Sequence, residues 1–378
     1  LTKGYLMDVA ALLGPAGLPV PSLESMLGVP EATVTGIDEV EYDLMALTTG
    51  GRWRVGVKTP QGHRCYVVKV ARSFALSPIL AMIPPDLRDA AIRELPWRIE
   101  PDVYRSALHR HMPHGSRLPE CHAVVDLDEN SAAIWLEFVA HDRSAWTAQR
   151  YRDAARLLGR LAASQSIADI ADGIGHPGGP GQARMYWAGR LADEFVRSYV
   201  DGTAWDDPVV SRHVDAGFRE RMSRFIDGAP ALLDEIESLP LLSAHGDACP
   251  NNLLACDHEF VIIDWAFFSR GRMGFDLSQL VISEIELRKT SPGRLAETQR
   301  VCLPAYRAGL VDGGVNVPAA ELERAHHIQL AAAHVVSAIP LDLLAAADDA
   351  DLVPGSTLDL LTADRVAMVR GMLDAIGI

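Results

Sequence analysis

The chain is expected to fold as an α+β protein of two lobes, an N-terminal antiparallel sheet with one main helix and a larger, mostly helical C-terminal lobe. Three observations carry that expectation. Runs of β-branched and apolar residues recur before Ala140, and beyond it apolar residues return at helical spacing. The length, 378 residues, exceeds what a single core usually serves. The boundary falls after Val139, giving lobes of residues 1–139 and 140–378.

Residues 5–13 read as a short leading helix, and the segment near 33–47 carries strand-forming residues. Trp53-Arg-Val-Gly-Val-Lys58 and Arg64-Cys-Tyr-Val-Val-Lys-Val70 read as strands joined at Pro60-Gln-Gly62. Thr48-Thr-Gly50-Gly51-Arg52 sits between the first and second strands, where a phosphate-holding loop or a plain hairpin turn fits equally well. Trp97 to Ser106 reads as a helix, with Pro101 either at its first position or kinking it. Ala133-Ile-Trp-Leu-Glu137-Phe-Val139 is the expected last strand of the lobe and its exit. Tyr151 to Leu161 repeats apolar residues on one helical face, and the Gly- and Pro-rich residues 173–183 form a loop. Helices are expected near 184–200, 209–226 and 229–237, then over 276–290, 295–310, 318–337 and 357–376.

Composition narrows the class. With 48% hydrophobic and 22% charged residues the chain reads as an ordinary globular domain protein. No apolar stretch is long enough to cross a bilayer and no basic-then-apolar signal segment opens the chain, so a cytoplasmic protein is expected. The five cysteines, 65, 121, 249, 256 and 302, include no CxxC pair and are odd in number, which argues against a disulfide framework or a zinc knuckle. A net charge of −15 argues against nucleic-acid or anionic-membrane binding. It suits a cationic small-molecule partner, although many cytosolic proteins are equally acidic. Nothing in the sequence fixes the oligomeric state.

The chemistry concentrates in His245-Gly-Asp-Ala-Cys-Pro-Asn-Asn252 and in Ile263-Asp264-Trp265. Phosphoryl transfer needs one carboxylate to orient an attacking hydroxyl, and an amide and a second carboxylate to hold Mg²⁺ against nucleotide phosphates. Asp247, Asn252 and Asp264 are the residues of those types here. Asn252-Leu-Leu-Ala-Cys and Phe260-Val-Ile-Ile-Asp264 read as a hairpin around Asp257-His258-Glu259, and a hairpin centred on His258 would face Asn252 with Asp264. Lysine is confined to positions 3, 58, 69 and 289. Lys69, flanked by apolar residues, would be costly to bury without a partner. Zinc binding by His326, His327 and His334 lacks further ligands at suitable spacing, and Ser243 lacks a nucleophile elbow.

His-Gly-Asp-x-x-x-x-Asn followed by Asp264-Trp265 resembles the aminoglycoside phosphotransferase and choline kinase-like family, relatives of the protein kinases. The resemblance covers most of the chain from about residue 35 and is most specific over 245–276. It implies a protein-kinase-like fold, with Asp247 as catalytic base, Asn252 and Asp264 as Mg²⁺ ligands, and His245 and Asp276 bracing the loop. It makes Lys69 the residue that reaches the α- and β-phosphates. Glu100 becomes its partner through the pattern Trp97-Arg-Ile-Glu100-Pro-Asp-Val-Tyr104-Arg-Ser106, with Glu94 as the alternative. Backbone groups of Glu137 and Val139 would hold the adenine edge, with ATP or GTP lying between the lobes. The implied activity is transfer of the γ-phosphoryl to a hydroxyl of a small acceptor: an aminoglycoside or other antibiotic first, a sugar, amino alcohol or other metabolite second. A protein kinase is disfavoured by Asp264-Trp265-Ala266 where Asp-Phe-Gly is expected, and a non-catalytic nucleotide-binding scaffold by the full set of charged groups.

Overall fold

The computed structural model describes residues 23–40, 47–176, 183–184, 187, 195–257, 259–346 and 356–378. The helix expected over 5–13, part of the 33–47 segment, much of the loop and helix expected over 173–200, and the turn residue His258 lie outside the described residues. In chain order the first elements are α1 (Leu23–Leu27), β1 (Thr33–Glu39), β2 (Thr49–Thr59), β3 (Gly62–Arg72), α2 (Arg88–Glu94), α3 (Ile99–Arg105), β4 (Ser116–Arg117), β5 (Cys121–Asp128) and β6 (Ser131–Glu137). There follow α4 (Ala148–Ala163), α5 (Gln165–Ile174), α6 (Phe195–Asp201), α7 (Thr203–Asp206), α8 (Val210–His213), α9 (Ala216–Ser238) and the short strands β7 (Leu241–Ala244), β8 (Leu253–Cys256), β9 (Glu259–Ile262) and β10 (Ser269–Arg272). The chain closes with α10 (Phe275–Glu286), α11 (Leu295–Asp312), α12 (Ala319–His334), α13 (Leu341–Ala346) and α14 (Leu358–Ile376). The architecture is α+β, an N-terminal antiparallel sheet with a larger helical part.

The described residues group into two compact units. The first is drawn from Leu1–Arg143, Asp169–Pro177 and Leu254–Phe268, the second from Ser144–Ala168, Gly178–Leu253 and Ser269–Ile378. In the first, five antiparallel strands run in the order β1-β2-β3-β6-β5. Alternation does the sorting: Trp53, Val55 and Val57 of β2 and Tyr66, Val68 and Val70 of β3 share one core with Trp135. On the opposite face Val67, Ala71, Ile134 and Leu136 meet Tyr104 of α3. Full burial of each such aliphatic side chain contributes about 1.5–3 kcal/mol.

Two details of this unit differ from expectation. Thr49 to Arg52 are strand residues of β2, not a loop, with a bulge between Thr49 and Gly51. Gly51, at φ +157, lies under the Trp53 indole, where a Cβ would collide with the ring. The glycine is there for close approach. Helix α3 starts at Ile99, so Pro101 is its third residue rather than its first. That position is tolerated because the first-turn N–H groups lack intrahelical acceptors, and the first bond runs from Asp102 N–H to Arg98 O at 2.9 Å.

In the second unit α9 is one helix where the sequence suggested two. Asp215 caps it, accepting from the Phe218 N–H at 2.7 Å, and it continues through Pro230. Phe218, Met222, Phe225, Ala229, Leu232 and Ile236 are buried on both sides of the proline. Their combined burial exceeds the roughly 3 kcal/mol an interior proline costs. Helices α4 and α11 approach through Gly159 and Gly309, and a Cβ on Gly309 would strike the Arg156 carbonyl. No helix among the described residues is long and apolar enough to cross a membrane. None of the five cysteines is in a disulfide.

Candidate active site

The candidate residues divide between the units: Lys69, Glu100, Glu137, Val139 and Asp264 in the first, Asp247 and Asn252 in the second.

In the second unit β7, paired antiparallel with β10, delivers the chain to His245. The turn that follows needs the left-handed backbone of Gly246, φ +89. Asp276, 2% exposed and in the first turn of α10, grips it. Its two carboxylate oxygens accept the N–H groups of His245 (2.8 Å) and Gly246 (3.0 Å). Burial pushes the Asp276 carboxyl up to about 6, against the pull of those two N–H bonds. The His245 Nδ1 accepts the Asp247 N–H at 3.2 Å.

Three residues on from Asp247, Pro250–Asn252 form a single 3₁₀ turn. Buried Asn252 turns its Nδ2 onto Asp247, donating to the backbone O at 2.9 Å and to Oδ2 at 3.0 Å. The amide fixes the orientation of the Asp247 carboxylate and offers its own Oδ1 as an acceptor. Asn252 lies just before β8 and Asp264 beyond the end of β9, so neither is a strand residue. The expected strand setting of the two is therefore corrected: a 3₁₀ turn orients Asn252, and a left-handed backbone at Asp264 (φ +62) orients the carboxylate.

In the first unit Lys69, 6% exposed, is held by two carboxylates. Its Nζ lies 2.5 Å from Glu100 Oε2 and 2.7 Å from Asp264 Oδ1. Glu94 is not the partner: it ends α2 and is exposed, and its backbone O meets His176 Nε2 at 2.6 Å. Burial pushes Glu100 up to about 7, with the Lys69 charge opposing and the Asp264 charge adding to the shift. Lys69 is itself held above its ordinary value, the two carboxylates overcoming its desolvation. Trp265, fully buried, secures the turn by donating its indole N–H to Ile262 O at 3.0 Å.

Glu137 ends β6. Its N–H donates to Glu120 O at 2.9 Å, and its carboxylate accepts from the Glu120 N–H at 2.8 Å and from Arg117. The Val139 O lies 3.1 Å from His141 Nδ1.

Two features escaped sequence reasoning. Lys289, just past the end of α10, donates to Asn251 Oδ1 at 2.9 Å, reaching the residue next to Asn252. The rarity of lysine in this chain was the available signal. Arg52 is the direct partner of Lys69 across β2 and β3. The histidines have structural partners: buried His326 meets Ser278 and Gln299, and burial lowers it to about 3, while His334 lies 2.6 Å from Glu286.

The family that the chain matches makes it a phosphotransferase with an alcohol group as acceptor. The sequence profile of the phosphotransferase enzyme family (APH) matches residues 57–309, more than half of the chain, and the chain belongs to that family. No curated protein matches the sequence. Among solved structures it is similar to an aminoglycoside phosphotransferase from Alicyclobacillus acidocaldarius (15% identity, 89% of this chain and 95% of that one, TM-score 0.44). It is also similar to a choline/ethanolamine kinase family protein from Mesorhizobium loti (16% identity, 90% and 92%, TM-score 0.41). A third is choline kinase from Cryptosporidium parvum (12% identity, 97% and 93%, TM-score 0.42).

Proposed function

We propose that the protein transfers the γ-phosphoryl group of ATP, or of GTP, to a hydroxyl of a small acceptor, with an aminoglycoside or another hydroxylated antibiotic as the leading class. The observation that carries the reading is the Asp247–Asn252 pair on a loop gripped by Asp276. Asp247 accepts or orients the proton of the attacking hydroxyl. Lys69, braced by Glu100, positions the α- and β-phosphates. Backbone groups of Glu137 and Val139 hold the adenine edge. The net charge of −15 supports a cationic acceptor.

Asn252 and Asp264 would hold Mg²⁺, and their chemistry fits it, since both offer hard oxygen donors. Among the described residues no group of three or more His, Cys, Asp or Glu is arranged to hold a metal. Two protein oxygens completed by nucleotide phosphates and water suit Mg²⁺, which keeps several such ligands. The ion, when bound, offsets charge on the phosphate oxygens. Such chemistry is mostly positioning and electrostatics. The cytoplasm, where ATP is available, is the proposed location.

The test is Mg²⁺-dependent consumption of ATP and of GTP across aminoglycosides, other hydroxylated antibiotics, sugars and choline-like alcohols. Stimulation by an antibiotic supports the whole reading. Stimulation by a sugar or amino alcohol alone moves the acceptor class, and absence of nucleotide binding sinks it.

A further inference from the structure

We propose that Arg52 is a second phosphate-binding cation, which grips the nucleotide's phosphates beside Lys69. The inference rests on the nucleotide reading above and adds a residue to that site. Arg52 of β2 directly opposes Lys69 of β3. Opposed residues point to the same face of a sheet, with Cβ atoms roughly 4.5–5.5 Å apart. The neighbours of Arg52 confirm the facing: Trp53, Val55 and Val57 point into the core on the other side. Arg52 therefore stands on the face that carries the Lys69–Glu100 pair, and its charge acts on Glu100.

Two like charges directly opposed across a sheet repel, and here two carboxylates on the same face offset them. Glu100 and Asp264 both close on Lys69, at 2.5 and 2.7 Å. Those four charged groups sum to zero, and a divalent ion at Asp264 would leave the array net positive. Phosphate oxygens are the anions that such an array would take.

The backbone adds a second reason. A glycine-rich loop usually cradles phosphates with free N–H groups. Here Thr49 and Gly51 to Thr59 are laddered to β3, and Gly51 serves the Trp53 ring. A guanidinium with its planar fork of donors is the group that can replace such a cradle, because it matches phosphate geometry bidentately. Arg54, two residues along, pairs with Asp38 at 3.0 Å on the exposed part of the strand. It serves as the control.

The experiment measures binding of ATP, ADP and adenosine by titration calorimetry to the full chain and to Arg52→Gln and Arg54→Gln. Arg52→Gln is expected to weaken ADP and ATP by about 10- to 100-fold while adenosine affinity stays unchanged. Arg54→Gln is expected to change none of the three. ADP binding within about twofold of wild type in Arg52→Gln, or an equal loss for adenosine, overturns the proposal. Should Arg52→Gln fail to fold, Arg52→Met, which keeps the side chain's apolar stem, carries the same comparison with the same criteria. A Lys69→Met variant that loses ADP affinity while Arg52→Gln keeps it refutes Arg52 alone. A wild-type protein that binds none of the three ligands refutes the nucleotide reading itself.

Discussion

Replacing Glu100 by Gln is expected to flatten the dependence of stability on pH. Lys69 sits between two carboxylates, Glu100 at 2.5 Å and Asp264 at 2.7 Å, so one ammonium is shared by two carboxylates and the second carboxylate raises the cost of ionising Glu100. Burial pushes Glu100 from 4.5 up to about 7. Between those values the folded protein keeps a proton that the unfolded chain has released. The stabilising contribution of that proton is complete below 4.5 and is lost as the pH rises through about 7. The gap corresponds to about 3 kcal/mol. Glutamine has no proton to lose, and Lys69 keeps its bond to Asp264 in the variant. Urea unfolding of both proteins from about pH 5 to about pH 8 measures the effect. Asp276, pushed up to about 6, slopes the same way in both, so the difference between the two profiles isolates Glu100. Parallel profiles would refute the reasoning. By contrast, Lys69→Met strands two carboxylates and is expected to cost about 3–5 kcal/mol near neutral pH.

Three further variants test the loop and the packing. Asp276→Asn sets an amide NH₂ against one of the two backbone N–H groups it must accept. A loss of about 1–3 kcal/mol is expected, with faster hydrogen exchange over residues 245–247 and a fall in kcat at unchanged nucleotide affinity. Lys289→Met releases Asn251 Oδ1 and is expected to lower kcat about fivefold, and adding Asn251→Ala should cost nothing more; additive losses would show that the two side chains act separately. Gly309→Ala drives a methyl into the Arg156 carbonyl and is expected to lower Tm through about 1–3 kcal/mol of overpacking.

The sequence carried the strand pair 53–58 and 64–70 and the loop from His245 to Asn252 because their determinants are local. Alternation sorts the strands onto two faces, and the spacing of Asp247 and Asn252 lies within one turn-sized segment. The break expected between residues 226 and 229 failed for the complementary reason: the local pattern lost to a buried face that only the fold reveals. The contacts Lys289–Asn251 and Gly159–Gly309 join distant segments, so packing had to be known first, and the pairing of Arg52 with Lys69 needed the register of β2 on β3. The hairpin from β8 to β9 was legible, yet the backbone at Asn252 and Asp264 departs from strand geometry. No periodicity signals a left-handed residue that is not glycine.

The most direct measurement compares acceptor-stimulated phosphate transfer in the wild-type protein and in Asp247→Asn, with nucleotide affinity measured on both. The account predicts that transfer falls by about 10²- to 10⁴-fold while nucleotide affinity is retained, because the variant loses the carboxylate that orients the hydroxyl and little else. Undiminished transfer in Asp247→Asn would contradict it.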